Sequence, residues 1–184
     1  MQWFTGFFYH LTMVFIVLFC LLPTMANAAA NAATTIKKSP ATAIPTIIYS
    51  NEDEKEQPLN TNKYKLTALH FWATWCVPCV KELPQINTIQ KKYADKGFKI
   101  IALSLDGKKN KNVQKFYSDN KIENLELLFD YNMTAFQQMK IKGLPTTIFI
   151  NSKGEEIARA EGDLNWESKE VEEFIKSQIL ESNN

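Results

Sequence analysis

The chain has 184 residues, of which 45% are hydrophobic and 22% charged, so its length and composition are those of one ordinary globular domain with a leader or tail. Its 21 basic and 20 acidic residues nearly cancel, which excludes the basic surface of a nucleic-acid binder and a polybasic membrane patch. The balance is uneven along the chain, because no Lys, Arg, Asp or Glu precedes Lys37.

Residues 11–22, LTMVFIVLFCLL, are an uninterrupted apolar run that Pro23 breaks, and Ala26-Asn27-Ala28 supplies small residues at a signal-peptidase spacing. The pattern predicts a secretory leader over residues 1–28, with Ala29 as the mature N-terminus. The stretch before the run carries no Lys or Arg, and residues 3–22 are long enough to cross a bilayer, so an uncleaved membrane anchor is the alternative. In either case an exported protein is expected, periplasmic or otherwise outside the cytoplasm, soluble or tethered to the inner membrane. Cys20 lies inside the run behind Phe19, not behind the small residue that a lipidated cysteine needs, and reads as apolar filler.

Residues 29–45, rich in Ala, Thr, Ser and Pro, predict a flexible tail. TIIYS (46–50) has strand chemistry, NEDEKEQPLN is a polar turn, and KLTALHFWA (65–73) is a buried strand. From Cys76 to Tyr93 the apolar residues Val80, Leu83, Ile86 and Ile89 recur at helical spacing. Gly97 ends that unit and FKIIALSLD (98–106) is a second buried strand. A helix over 110–122, a strand over 125–130 and a helix over 133–141 follow. TTIFIN (146–151) and EIARAEG (156–162) make a hairpin around SKGE, and residues 166–180 close the chain as an amphipathic helix. Alternating strands and helices followed by a hairpin predict an α/β domain over 46–181, its mixed sheet covered by helices on both faces.

Two cysteines remain beyond the leader, Cys76 and Cys79, three positions apart in FWATWCVPCVKELP. A lone Cys-x-x-Cys lacks the second ligand pair of a structural zinc site, and a staple closing so short a loop adds little chain-entropy stabilisation. No metal site is expected. Cys76 falls where a strand stops and a helix begins, so its thiolate would face unpaired N–H groups and the positive end of the helix dipole. Cys79 is one turn on and on the same face, within reach of Cys76. Pro78 suits a first helical turn, where its missing N–H leaves no bond unmade. The pair reads as a redox couple in which Cys76 attacks a disulfide and Cys79 resolves the mixed disulfide.

FWATWCVPCVKELP closely resembles the active-site segment of thioredoxin-fold proteins, above all the exported TlpA-like and ResA-like thiol–disulfide oxidoreductases. Pro84 matches the family's helix-kinking proline, GLPTTIFINSKG (143–154) resembles its cis-proline loop, and GDLNW (162–166) resembles the stretch before its last helix. The resemblance spans about residues 46–180 with the motifs in order. It implies a thioredoxin-like three-layer fold, a central mixed β-sheet flanked by helices, with an inserted αβ unit and a short N-terminal strand or hairpin. It further implies that Leu144–Pro145 is cis and that Leu144, Pro145 and Thr146 present backbone beside the sulfurs for a substrate strand. Without the family, Pro145 is a proline opening an edge strand.

Four neighbours carry two readings each. Glu82 matches the acidic position of the ResA-like CxxCxxE pattern and would take the proton of Cys79; it is also a solvated glutamate near a helix start. His70 departs from the family, which commonly has Asp or Asn six residues before the first cysteine. Beneath the dithiol it would shuttle protons or shift the potential, unless it is a hydrogen-bonded core residue. Trp72 and Trp75 flank the approach to Cys76, Trp75 being the better candidate for a substrate surface, though aromatics at a strand end are also ordinary packing.

The expected function is that of an exported thiol–disulfide oxidoreductase reducing partner proteins, with the Cys76–Cys79 disulfide in place of any cofactor. Its expected partners are proteins with disulfides or thiols and an upstream thiol donor, membrane-bound in one version, and no nucleic acid. The alternative is an exported Cu(I)-handling or redox-maturation factor for a metalloprotein, since soft thiolates suit Cu(I), although no Met-rich or His-rich tract supports it.

Overall fold

The computed structural model describes residues 35–108 and 111–181. The leader, the alternative anchor over 3–22 and the cleavage site after Ala28 lie outside the described residues. Among the described residues, no helix is long and apolar enough to cross a membrane.

Among the described residues, eight strands form one sheet: β1 (Lys37–Ala43), β2 (Ile48–Asn51), β3 (Glu56–Pro58), β4 (Leu66–Trp72), β5 (Phe98–Ser104), β6 (Leu128–Phe129), β7 (Thr146–Asn151) and β8 (Glu155–Glu161). Their order across the sheet is β1-β8-β7-β4-β5-β6-β2-β3. The helices are α1 (Val77–Tyr93), α2 (Asn112–Asp119), α3 (Thr134–Gln138) and α4 (Lys169–Glu181). The crossover through α1 lets β4 and β5 run parallel, and β5 and β6 are parallel as well; the remaining pairs are antiparallel.

β4 is central and buried at every position, so LTALHFW reads as a continuous apolar run with one histidine in it. Its alternate residues face two cores. Leu66, Ala68 and Trp72 join Cys79, Leu83, Ile86 and Tyr93 of α1, Val113 and Tyr117 of α2, and Val171, Phe174 and Ile175 of α4. Leu69 and Phe71 join Ile101, Leu103, Ile148 and Ile150 on the other face, which Ala135, Met139 and Ile141 cover. The result is the expected three-layer arrangement, helices on both faces of a mixed sheet, with α2–β6 as the additional αβ unit.

α1 starts at Cys76, whose extended backbone makes it the N-cap, and its buried residues Cys79, Leu83, Ile86, Ile89, Gln90 and Tyr93 trace one helical face. It closes through a 3-10 turn at Ala94–Lys96 onto Gly97, which has a left-handed φ of 90°. The Gly97 carbonyl then accepts the N–H groups of Lys65 and Leu66, aligning the start of β4 with β5.

The structure corrects several sequence expectations. Residues 37–43, read as part of a flexible tail, are a strand paired antiparallel with β8; all seven are exposed, so main-chain bonds hold them and composition carries no trace of it. The polar turn after residue 50 contains β3, which forms a hairpin with β2. The helix expected over 133–141 is only Thr134–Gln138, bounded by left-handed Met133 and Lys140, and that over 110–122 stops at Asp119 before left-handed Lys121. The strand expected over 125–130 is reduced to Leu128–Phe129, the two residues that reach both β5 and β2.

Candidate active site

Cys76 and Cys79 are joined in a disulfide with their Cα atoms 5.3 Å apart. The sulfur of Cys76 accepts the Cys79 N–H at 3.4 Å, so it already occupies the position in which the first-turn donors would meet a thiolate. The two sulfurs are unequally placed: Cys76 keeps 6% of its surface and Cys79 none. Trp75 and Val77 on either side of Cys76 are 69% and 63% exposed, so exposed apolar side chains flank that cysteine.

The turn that delivers Cys76 is pinned by a residue the sequence reading overlooked. Asp106, buried just past β5, accepts the Thr74 N–H at 2.9 Å and the Thr74 hydroxyl at 2.6 Å, and the Ser104 hydroxyl at 2.7 Å. The only sequence signal was an aspartate ending an apolar strand, and nothing local says which turn it serves.

The loop before β7 lies at the same end of the sheet. Thr146 is the register partner of Phe71, near the end of β4, which brings Pro145 beside the chain as it enters Thr74–Trp75–Cys76. The Leu144–Pro145 peptide is cis. The Pro145 carbonyl accepts the Gly162 N–H at 2.9 Å, and the buried Thr146 donates its hydroxyl to the Gly143 carbonyl at 2.8 Å. Leu144 is half-buried against both cores.

Beneath the disulfide sits a polar group enclosed by apolar side chains. Glu82 is the sixth residue of α1 and only 4% exposed, so it is not a solvated glutamate at the helix start. Its Oε2 accepts the Leu164 N–H at 2.9 Å, because the GDLNW stretch folds back over α1 and buries Trp166 there. Burial pushes the carboxyl up to about 8; the Leu164 N–H and the indole of Trp166 work against that rise and Asp163 adds to it. Trp166 Nε1 lies toward the carboxyl without completing a hydrogen bond.

His70 occupies β4 directly across from its register partner Thr147, with Nδ1 2.9 Å from the threonine hydroxyl. Its Nε2 stands 3.4 Å from Glu82 Oε1. Complete burial holds the imidazole down at about 3. With the carboxyl raised and the imidazole lowered, both are uncharged in neutral solution and the contact is not an ion pair. Trp72, fully buried against Phe116 and Tyr117, belongs to the core and not to the surface. The structure thus gathers Cys76, Cys79, Glu82 and His70 at one end of the sheet with the Leu144–Thr146 loop, and leaves Trp75 on the outer rim.

Comparison with known proteins agrees with this chemistry. The sequence profile of the Redoxin family matches residues 37–175. The thiol–disulfide oxidoreductase ResA of Oceanobacillus iheyensis is 36% identical over 107 residues, which is 56% of this chain and 53% of that relative. The ResA of Bacillus thuringiensis subsp. konkukian is 30% identical over 132 residues, covering 72% of this chain and 74% of that protein. Among solved structures, a Chlorobium tepidum protein described as a DsbE thiol:disulfide interchange protein superposes with a TM-score of 0.63 at 26% identity, covering 80% of this chain and all of that one.

Proposed function

Since the chain belongs to the Redoxin family and is a thiol–disulfide oxidoreductase, we propose that it is exported and reduces disulfides in partner proteins through Cys76 and Cys79. The observation that carries this reading is the asymmetry of the pair: Cys76 is the N-cap and keeps a small exposed remnant of its surface, and Cys79 is wholly buried one turn behind it. In the reduced protein the Cys76 thiolate, stabilised by the helix N-terminus, attacks one sulfur of a partner disulfide. A Cys76–partner bond forms, the partner's own S–S bond breaks, and its second sulfur leaves with the electron pair. Cys79 then attacks Cys76; the intramolecular disulfide forms, the mixed disulfide breaks, and two electrons have passed to the partner.

Cys79 must lose a proton to attack, and Glu82, one turn on along the buried face, receives it while ionised, a form that becomes populated as the pH approaches about 8. Leu144, Pro145 and Thr146 would offer backbone to the partner's segment, with Trp75 as an apolar contact. An upstream thiol donor, soluble or membrane-bound, would return the pair to the dithiol. Relatives named as ResA support this assignment, and the apolar run ahead of residue 28 supports export, with or without a retained tether.

Trapping tests it. Cys79→Ser is expected to hold partner proteins on Cys76 as mixed disulfides that dithiothreitol releases, and Cys76→Ser is expected to trap none. Trapping by Cys76→Ser instead would reverse the two roles. Tight Cu(I) retention by the reduced protein without reduction of insulin disulfides would replace the reading by a copper-handling one.

A further inference from the structure

The His70–Glu82 contact is not explained by the exchange chemistry alone. Glu82 Oε2 is occupied by the Leu164 N–H, so a proton on this carboxyl belongs on Oε1, the oxygen that faces His70 Nε2. Among the described residues, neither Oε1 nor Nε2 completes a hydrogen bond, and both side chains are buried. On its far side His70 Nδ1 meets the Thr147 hydroxyl, a group that both donates and accepts. The other groups acting on the carboxyl are Trp166 and Asp163 from the loop before α4; Cys79 lies one turn earlier on its own helix and is likewise buried.

We propose that His70 is a positioning residue for the proton of Glu82, partnering Oε1 in both of its charge states by exchanging tautomer. When Glu82 is protonated, Oε1–H donates to Nε2 while Nδ1–H donates to the Thr147 oxygen. When Glu82 is ionised, Nε2–H donates to Oε1 and the Thr147 hydroxyl turns to donate to Nδ1. The imidazole stays neutral throughout, so one carboxyl proton enters or leaves a dry site without stranding a bare carboxylate. A side chain of fixed polarity would serve one state only. The inference rests on the reading of Glu82 as the proton acceptor for Cys79, and supplies what that acceptor needs in order to release its proton again.

The test is a carboxyl titration of the full chain in its oxidised form, followed by infrared spectroscopy and assigned by its loss in Glu82→Gln. The midpoint expected for the unaltered protein is about 8. His70→Phe removes the donor that the ionised form needs, and is expected to raise the proton affinity about tenfold or more, moving the midpoint up by about one pH unit. Thr147→Val is expected to move it the opposite way. An unpartnered buried N–H is costlier than an unpartnered acceptor, so the imidazole proton shifts to Nε2 and favours ionised Glu82. In parallel, the pH break in the reduced protein's exchange with a small disulfide should follow His70→Phe in the native background and not in Glu82→Gln.

An unmoved or lowered midpoint in folded His70→Phe, or an unmoved or raised one in Thr147→Val, overturns the proposal. So does an equal effect of His70→Phe on exchange in the Glu82→Gln background. Should His70→Phe fail to fold, the sign of the Thr147→Val shift decides alone. Failure of Cys79→Ser to trap partners would remove the proposed reduction of partner proteins while leaving this titration intact, so the two failures are distinguishable.

Discussion

Raising the pH of the oxidised protein from 6.5 to 8 is expected to cost about 1 kcal/mol of stability, and Glu82→Gln is expected to abolish that loss. Folding lifts the Glu82 carboxyl from 4.5 to about 8, so across that window the folded protein keeps a proton that the unfolded chain has released. Stability therefore falls as pH climbs through it. His70 acts in the other direction: folding lowers it from 6.5 to about 3, so below 6.5 the unfolded chain binds a proton that the folded protein refuses. Between 4.5 and 6.5 the two slopes oppose each other and nearly cancel, and above 6.5 Glu82 dominates. Each slope approaches roughly 1.4 kcal/mol per pH unit at its limit, but Glu82 is half-titrated at about 8 and the unfolded His70 half-titrated at 6.5, so the net fall over the interval is about 1 kcal/mol. Urea unfolding followed by tryptophan fluorescence at stepped pH measures it, with the disulfide kept intact so that neither cysteine titrates. Glutamine keeps an oxygen for the Leu164 N–H, so the difference between the two proteins isolates the proton. A native curve that stays flat or rises from 6.5 to 8, or a variant that keeps the decline, refutes the reasoning.

Gly97→Ala is expected to destabilise the protein by about 1–2 kcal/mol, because φ is 90° there and the added Cβ would stand 2.9 Å from the Lys65 side chain. The midpoint of urea unfolding reads the change. Asp106→Ala is expected to cost about 2–4 kcal/mol by leaving the Thr74 and Ser104 donors unpaired, and to slow insulin reduction beyond any loss of folded protein. An unfolding curve and an initial-rate assay on the same sample separate the two effects.

Much of this molecule is legible in its sequence where the signal is local. The run into Cys76, the helical spacing behind it and the hairpin over 146–161 are each set by residues within one or two turns of one another. What escaped reading was fixed by contacts between distant segments. Glu82 looks solvated from its own helix, and it is buried only because Leu164 and Trp166, some eighty positions later, close over it. His70 could be recognised as unusual, but that its two nitrogens face Thr147 and Glu82 follows from the register of β4 with β7 and the placement of α1. β1 shows the same limit at its extreme, since a strand whose side chains all face water leaves no apolar alternation to find.

The two outermost strands have a consequence for how the protein behaves at high concentration. β1 carries Pro40 and two lysines, with a register irregularity between Lys38 and Thr42, and β3 is three residues long and ends on Pro58. Neither rim therefore offers a long, flat row of free main-chain donors and acceptors on which another chain could crystallise. Sideways growth of the sheet is blocked at both ends, and a concentrated solution of this protein is protected against fibrillar stacking by its margins, whatever its cysteines are doing.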